Sequence, residues 1–414
     1  MDKKRVVVTG LGAVTPLGNT YGEFWQALIA GKSGVAPITA FDPSDLRTQI
    51  AAEVKGFDPD EVIGKREARR MDRYAQFAYA AALEAILDAN FPEDSAVRTE
   101  TGAIVASGIG GIITLQDTVT KARELGTAKR VTPLFVPMLM GNAASAQISM
   151  RHKLRGPIFS VASACASSND AMAVAYQTIA HGQAVAMLAG GAEATITDVA
   201  MGGFCSMKAM STRNDEPEKA SRPFDRERDG FVMAEGGAIL VFEEREFALA
   251  RGARIYAEVL GYGQSADAYD LVAVDPTGTG VELALRRALR NAHVSPAEVD
   301  YVNAHGTSTP IGDPAESNAV GAILGVAGHR FAVSSTKSMH GHALGAAAAI
   351  EGVATVLAVH NDIMPPTINY DFPDPECTLD YVPNVARKAP VRVAISNSFG
   401  FGGHNSVIVF GKHA

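Results

Sequence analysis

The chain has 414 residues, of which 47% are hydrophobic, 20% charged and 7% aromatic, enough for two domains or for one large α/β unit with a duplicated core. Its formal charge of −8 argues against general nucleic-acid binding, which needs a basic surface. Three cysteines (Cys165, Cys205, Cys377) without a CxxC pair exclude a disulfide framework and suit a reducing cytosol with at most one reactive thiol.

Short β-branched runs alternate with longer Ala-rich helical stretches, which predicts α/β layers. The opening MDKKRVVVTGLG has too short an apolar run for a signal peptide. Strands are expected at Lys4–Thr9 and Gly102–Ser107. The uncharged stretch Val131–Met150 raises a membrane question. It contains Pro133, Pro137, Gly141, Asn142, Ser145 and Gln147, so it is read as buried core of a soluble, cytoplasmic protein. Ile158–Ala162, Val185–Ala189 and Ala238–Glu243 complete the strands of a first half, residues 1–254. In a second half, residues 255–414, strands are expected at Ile255–Leu260, Tyr301–Ala304, Ala332–Ser335, Val391–Ser396 and Ser406–Phe410. No linker composition divides the halves, so they are expected to form one compact body.

The halves share one pattern. IFSVASACASSNDAMAVAYQTIA and RFAVSSTKSMHGHALGAAAAIEGVATVLAV each read strand, small-residue turn, helix, with Lys337 falling about where Cys165 falls. A duplicated fold would bring both residues to helix N-termini near one pseudo-twofold axis.

Cys165 lies where a buried strand turns into a helix, among Ser163, Ala164, Ala166, Ser167 and Ser168. Small neighbours admit a substrate carbonyl, and a helix N-terminus favours the thiolate that attacks a thioester. The competing reading is a small inert buried cysteine, the reading also given to Cys205 and Cys377. His305 ends the strand Tyr301–Ala304 and opens NAHGTSTPIGDPAE, where Thr307 and Thr309 can bind ligand or backbone, and Asp313 and Glu316 can orient the loop. SSTKSMHGHALGAAAAIE brings Lys337, His340, His342 and Glu351. Zinc is the rival explanation, but HGH is too tight for ordinary ligand pairs and no CxxC or HExxH supports it. TGLGAVTPLG and SGIGG miss the dinucleotide spacing, and no phosphate loop occurs. Phe401, set among glycines in NSFGFGGHN, reads as a movable gate over an apolar pocket.

Cys165 in SACAS, His305 in NAHGTSTPIGD, Lys337 and His342 in SSTKSMHGHALGAAAAIE, and NSFGFGG together resemble the β-ketoacyl-acyl-carrier-protein synthases, most closely the elongating type II branch. The likeness runs from VVVTGLGAVTPLGN through MSTRNDEPEKASRPFDRERDGFVMAEGG to the last strand. It implies a thiolase-like fold, a duplicated αβαβα layered sandwich with two five-stranded layers, and a homodimer without metal or cofactor. It further implies that Cys165 takes an acyl chain from acyl carrier protein and that malonyl carrier protein then loses carbon dioxide and attacks it. His305 and His342 would stabilise the carbanion, the N–H groups of Cys165 and Phe401 the oxyanion, and Lys337 would hold the histidines with Asp313 and Glu351 as polar partners. Ile109 and Phe135, the second from the partner subunit, would line the acyl pocket. Arg66, Arg69, Arg70, Lys129, Arg130 and Lys208 would bind the anionic carrier, although KREARRMDR equally suits a solvated helix face.

Asp170 stands where the family usually has histidine, Asp270 and Val272 replace a histidine and a threonine, and His340 and His404 each replace a threonine. The alternatives are the same chemistry in a specialised lipid, nodulation-type or polyketide/polyene pathway, and a non-catalytic partner in a heterodimer. Intact Cys165, His305 and His342 argue against the last.

Overall fold

The computed structural model describes residues 3–326 and 328–413. Ten strands make one mixed sheet: β1 Val6–Val14, β2 Thr101–Ala106, β3 Ile158–Phe159, β4 Ala186–Glu193, β5 Gly236–Glu244, β6 Ala257–Ala266, β7 Tyr301–Asn303, β8 Ala332–Ser334, β9 Val393–Gly400 and β10 His404–Gly411. Their order across the sheet is β8-β7-β9-β10-β6-β1-β5-β4-β2-β3. Counted outward from the centre, each set of five runs first, fifth, fourth, second, third. The two sets are therefore the same topology twice, facing each other across the β1–β6 pair at Val6–Val8 and Ala257–Val259. The two five-stranded layers expected are hydrogen-bonded into one continuous sheet.

Helices supply the other layers. Helix α1 (Arg73–Asp88) and α2 (Ala143–His152) cover the first five strands, whereas α4 (Thr279–Ala292) and α5 (Gly312–Leu324) lie outside the second five. Between them, α3 (Ser167–Ala180) and α6 (Ala347–Asn361) pack together and against strands of both halves. That is the αβαβα arrangement. Sequence explains each placement. In α4, Val281, Ala284, Leu285, Ala288 and Leu289 are buried while Arg286, Arg287 and Arg290 are not, which marks a helix with one wet face. Every residue of α6 from Ala347 to Val359 is buried, as befits a helix sandwiched on all sides. The stretch Leu344–Asn361 is long and apolar enough to cross a membrane, but 89% of it is buried inside the fold.

Two expectations change here. Val131–Met150 is not uniformly core. Its prolines and Gly141 break it into coil, the short helix Phe135–Leu139 and the start of α2, and Val136 and Met140 are 56% and 48% exposed. The first strand does not stop at Thr9 but runs on to Val14, through the glycines of VVVTGLGAV. A Cβ on Gly12 would fall 1.9 Å from the carbonyl oxygen of Ala81, so glycine is what lets β1 lie directly on the backbone of α1.

Candidate active site

Ala164, at φ +50°, makes a left-handed turn between β3 and α3 that is costly for a residue with a Cβ. The turn is stapled. Ser167 Oγ donates to the Ala164 carbonyl at 2.6 Å and accepts the Ser163 N–H at 2.8 Å, and Ser398 Oγ on β9 donates to the Cys165 carbonyl at 2.8 Å. Cys165 thus sits at the foot of α3 with its N–H, and that of Phe401, directed at the sulfur. The glycine-rich NSFGFGGHN is a hairpin tip rather than a free loop, since β9 runs to Gly400 and β10 starts at His404. A Cβ on Gly400 would lie 2.7 Å from the Ser163 carbonyl oxygen. The tip can close over the cysteine only because that side chain is missing.

Burial pushes the Cys165 thiol up to about 12, against the opposing pull of Lys337 and the two N–H groups, so desolvation works against the thiolate that a helix N-terminus favours. Its Sγ lies 3.0 Å from His342 Nε2. His305 meets His342 edge to face, and Phe231 and Phe399 wall the two rings. Burial, then the charge of Lys337, holds both histidines well below the usual imidazole range, which keeps them neutral.

Lys337 Nζ donates to the His305 carbonyl at 2.7 Å, lies 3.5 Å from His305 Nδ1, and pairs with Glu351. An ammonium cannot accept, so the His305 proton belongs on Nε2. For His342, Nδ1 is buried without a partner among the described residues. A proton there would be an orphaned donor, so Nε2 is the better place for it as well. Glu316, on α5, accepts the N–H groups of His305 and Gly306 at 2.8 and 2.7 Å and Asn397 Nδ2 at 3.0 Å. Asp313, pushed up to about 7 by burial, accepts the N–H groups of Phe224 and Ser308. These carboxylates hold the loop still.

A cavity of about 350 Å3 has Cys165, His305, His342, Thr307, Thr309 and Phe401 in its wall. Exposed Lys208 is at its edge. Arg66, Arg69, Arg70, Lys129 and Arg130 are exposed and do not line it. Ile109, 42% exposed, and half-buried Phe135 are also outside the cavity of a single chain. Cys377 is buried in apolar surroundings, and Cys205 is half-buried. Asn397 and Ser398 open the NSFGFGGHN motif, but their task is not legible in it, since their contacts to Glu316 and Cys165 span 81 and 233 positions.

A thiol open to acylation, next to two imidazole N–H groups able to hold an enolate oxygen, is equipment for joining carbon to carbon between thioesters. Fold and site are those of a condensing acyltransferase. Residues 3–248 match the model of the beta-ketoacyl synthase N-terminal domain and residues 256–371 that of its C-terminal domain, and the chain belongs to the β-ketoacyl synthase family. It is 48% identical over 413 residues to 3-oxoacyl-acyl-carrier-protein synthase 2 of Synechocystis sp., covering 100% of this chain and 99% of that protein. Identity to the Coxiella burnetii protein of the same name is 47%, with the same coverage. A beta-ketoacyl synthase from Burkholderia phymatum superposes with a TM-score of 0.92 at 37% identity, over 99% of this chain and 100% of that one. A type II polyketide ketosynthase, solved with its acyl-carrier protein and bound to the hexaketide, gives 0.92 at 34% over 100% of both chains.

Proposed function

We propose that this chain elongates fatty acyl chains on acyl carrier protein, joining an acyl group held on Cys165 to a malonyl thioester with loss of carbon dioxide. The observation that carries the reading is the 3.0 Å contact between Cys165 Sγ and His342 Nε2, beside neutral His305 in one cavity. In the first half-reaction, sulfur attacks the acyl thioester. The oxyanion sits between the N–H groups of Cys165 and Phe401, and the departing carrier thiol takes the proton of Cys165. In the second, the malonyl C–C bond breaks, carbon dioxide leaves, and the electron pair forms an enolate. Its oxygen accepts from Nε2–H of His305 and His342. The enolate carbon attacks the acyl-cysteine, the sulfur leaves as thiolate, and a proton from water restores the thiol.

The assigned roles follow that path: Lys337, held by Glu351, sets the His305 tautomer, Asp313, Thr307 and Thr309 shape the loop, and Phe401 is the gate. Residues 1–254 carry the nucleophile and residues 255–414 the two histidines, as halves of one duplicated unit. The carrier docks at Arg66, Arg69, Arg70, Lys129, Arg130 and Lys208. A second copy of the chain covers the apolar face that includes Met150, Val136, Ile158 and Phe159, which are 66%, 56%, 41% and 39% exposed. Phe135 and Ile109 then complete the acyl channel, in a cytoplasmic homodimer. The greater identity to the 3-oxoacyl synthases than to the polyketide ketosynthase favours fatty-acid elongation over a specialised pathway. The test is to supply labelled acyl carrier and malonyl carrier proteins. Label on Cys165, release of carbon dioxide and a 3-oxoacyl product are expected; an unlabelled Cys165 would refute the reading.

A further inference from the structure

Glu193 ends β4 with no exposed surface, and the steps above do not use it. Among the described residues no Lys or Arg lies within ion-pair distance of it. Its carboxylate instead accepts four hydrogen bonds: Ser107 Oγ–H at 2.9 Å, Gly108 N–H at 2.7 Å, Ile109 N–H at 3.3 Å and Gly345 N–H at 3.1 Å. Ser107 Oγ in turn accepts the N–H of Gly110 at 2.8 Å. One buried anion thus organises the whole turn from Ser107 to Gly110 and ties it to the turn at Leu344–Gly345. The two turns touch so closely that a Cβ on Gly345 would lie 2.2 Å from Gly108 N and 2.7 Å from Glu193 Oε2.

Both turns carry something the acyl chain would meet. Leu344 lines the cavity and shares an apolar cluster with Cys165. Ile109 stands on the other turn, and the next step of that chain, Gly111 N–H, donates to the carbonyl of Leu139 at 3.0 Å, at the end of the short helix that begins with Phe135. A carboxylate is suited to this task, because it accepts at both oxygens and so can gather donors from two separate turns. Burying it without a cation is expensive, and burial pushes it up to about 7 even with its four donors. An amide would avoid that cost but leave the donors on one oxygen's side unpaired, and an apolar residue would leave all four unpaired.

We propose that Glu193 is a specificity-determining positioning residue, which sets the acyl-chain length by holding Ile109 and Leu344 at fixed places along the channel. The proposal rests on the reading that the acyl group runs from Cys165 past Leu344 towards Ile109, and the experiment separates the two. The readout is the ratio of Cys165 acylation rates from tetradecanoyl and hexanoyl carrier proteins in wild type, Glu193→Gln, Ser107→Ala and Ile109→Phe. Glutamine turns an NH2 group towards the N–H cradle and releases the turn, so the ratio should change about tenfold. Ser107→Ala removes the bridge to Gly110 and one of the four donors to Glu193 but leaves the three N–H bonds, and should move the ratio the same way by less, giving a reading even where Glu193→Gln folds poorly. Equal losses on both chains in Glu193→Gln and in Ser107→Ala would mean a merely structural role and overturn the proposal. A shift in Ile109→Phe alone would leave the channel standing and remove Glu193 from it. An unchanged ratio in Ile109→Phe would overturn the channel, and this proposal with it.

Discussion

His305 and His342, brought from loops 37 positions apart, meet edge to face with ring centroids 5.4 Å apart and planes at 86°. Two imidazoles this close would repel if both were charged, and burial together with Lys337 keeps both neutral. Each can therefore offer one N–H to the same oxygen.

His305→Ala and His342→Ala should each slow decarboxylation of malonyl carrier protein by about 10²–10³-fold, while acylation of Cys165 persists. Carbon dioxide release and acyl labelling, measured side by side, check this. Because both histidines titrate well below 6.5, wild-type decarboxylation should show no inflection from them between pH 6.5 and 9. A decarboxylation rate equal to wild type in either variant contradicts the assignment.

Cys165→Ala should abolish condensation, since no acyl-enzyme can form. With the thiol raised to about 12 by burial, the thiolate fraction, and with it alkylation by iodoacetamide, should rise about tenfold per pH unit through the neutral range without levelling off. A plateau below pH 9 would show a thiolate already formed.

Lys337→Met should destabilise the fold by about 3–5 kcal/mol, because Glu351 is then a buried carboxylate without its cation; the two side chains are each only 1% exposed. The loss should grow with rising pH. Burial already pushes Glu351 up to about 7, and without Lys337 the proton is held more tightly still, so ionising it becomes the cost. The double variant Lys337→Met/Glu351→Leu should recover most of the stability in urea denaturation, yet not the activity.

His340→Thr should change how stability depends on acid. His340 has no exposed surface, accepts or donates at 3.0 Å to Thr336 Oγ1, and is pushed down to about 3 by burial. Below its ordinary value of 6.5 the unfolded chain gains a proton that the folded chain refuses, so this residue removes stability as pH falls from 6.5 towards 3. Urea midpoints of variant and wild type at pH 7.5, 6 and 5 should therefore move in the variant's favour as pH drops. A constant difference would refute it.

The ten strands were legible because each is an apolar or β-branched run closed by glycine, proline or polar residues, and buried strands need no finer code. That Cys165, His305, His342 and Phe401 would come to one place, with Lys337 behind them, was legible too, because each stands in a turn of small residues and glycines at a strand's end. Strand ends were less so. A glycine in sequence suits either a tight turn or a close backbone approach, and only the helix or turn pressed against Gly10, Gly12 and Gly400 assigns them to the second. Sequence alone also suggested a thiolate at the foot of α3, since a helix N-terminus is a local feature. Desolvation opposes it, and desolvation depends on everything packed around Cys165. Glu193 shows the same limit. Its four donors come from residues at least 84 positions away, and only tertiary packing, which excludes water and brings distant N–H groups to one carboxylate, assigns it a task.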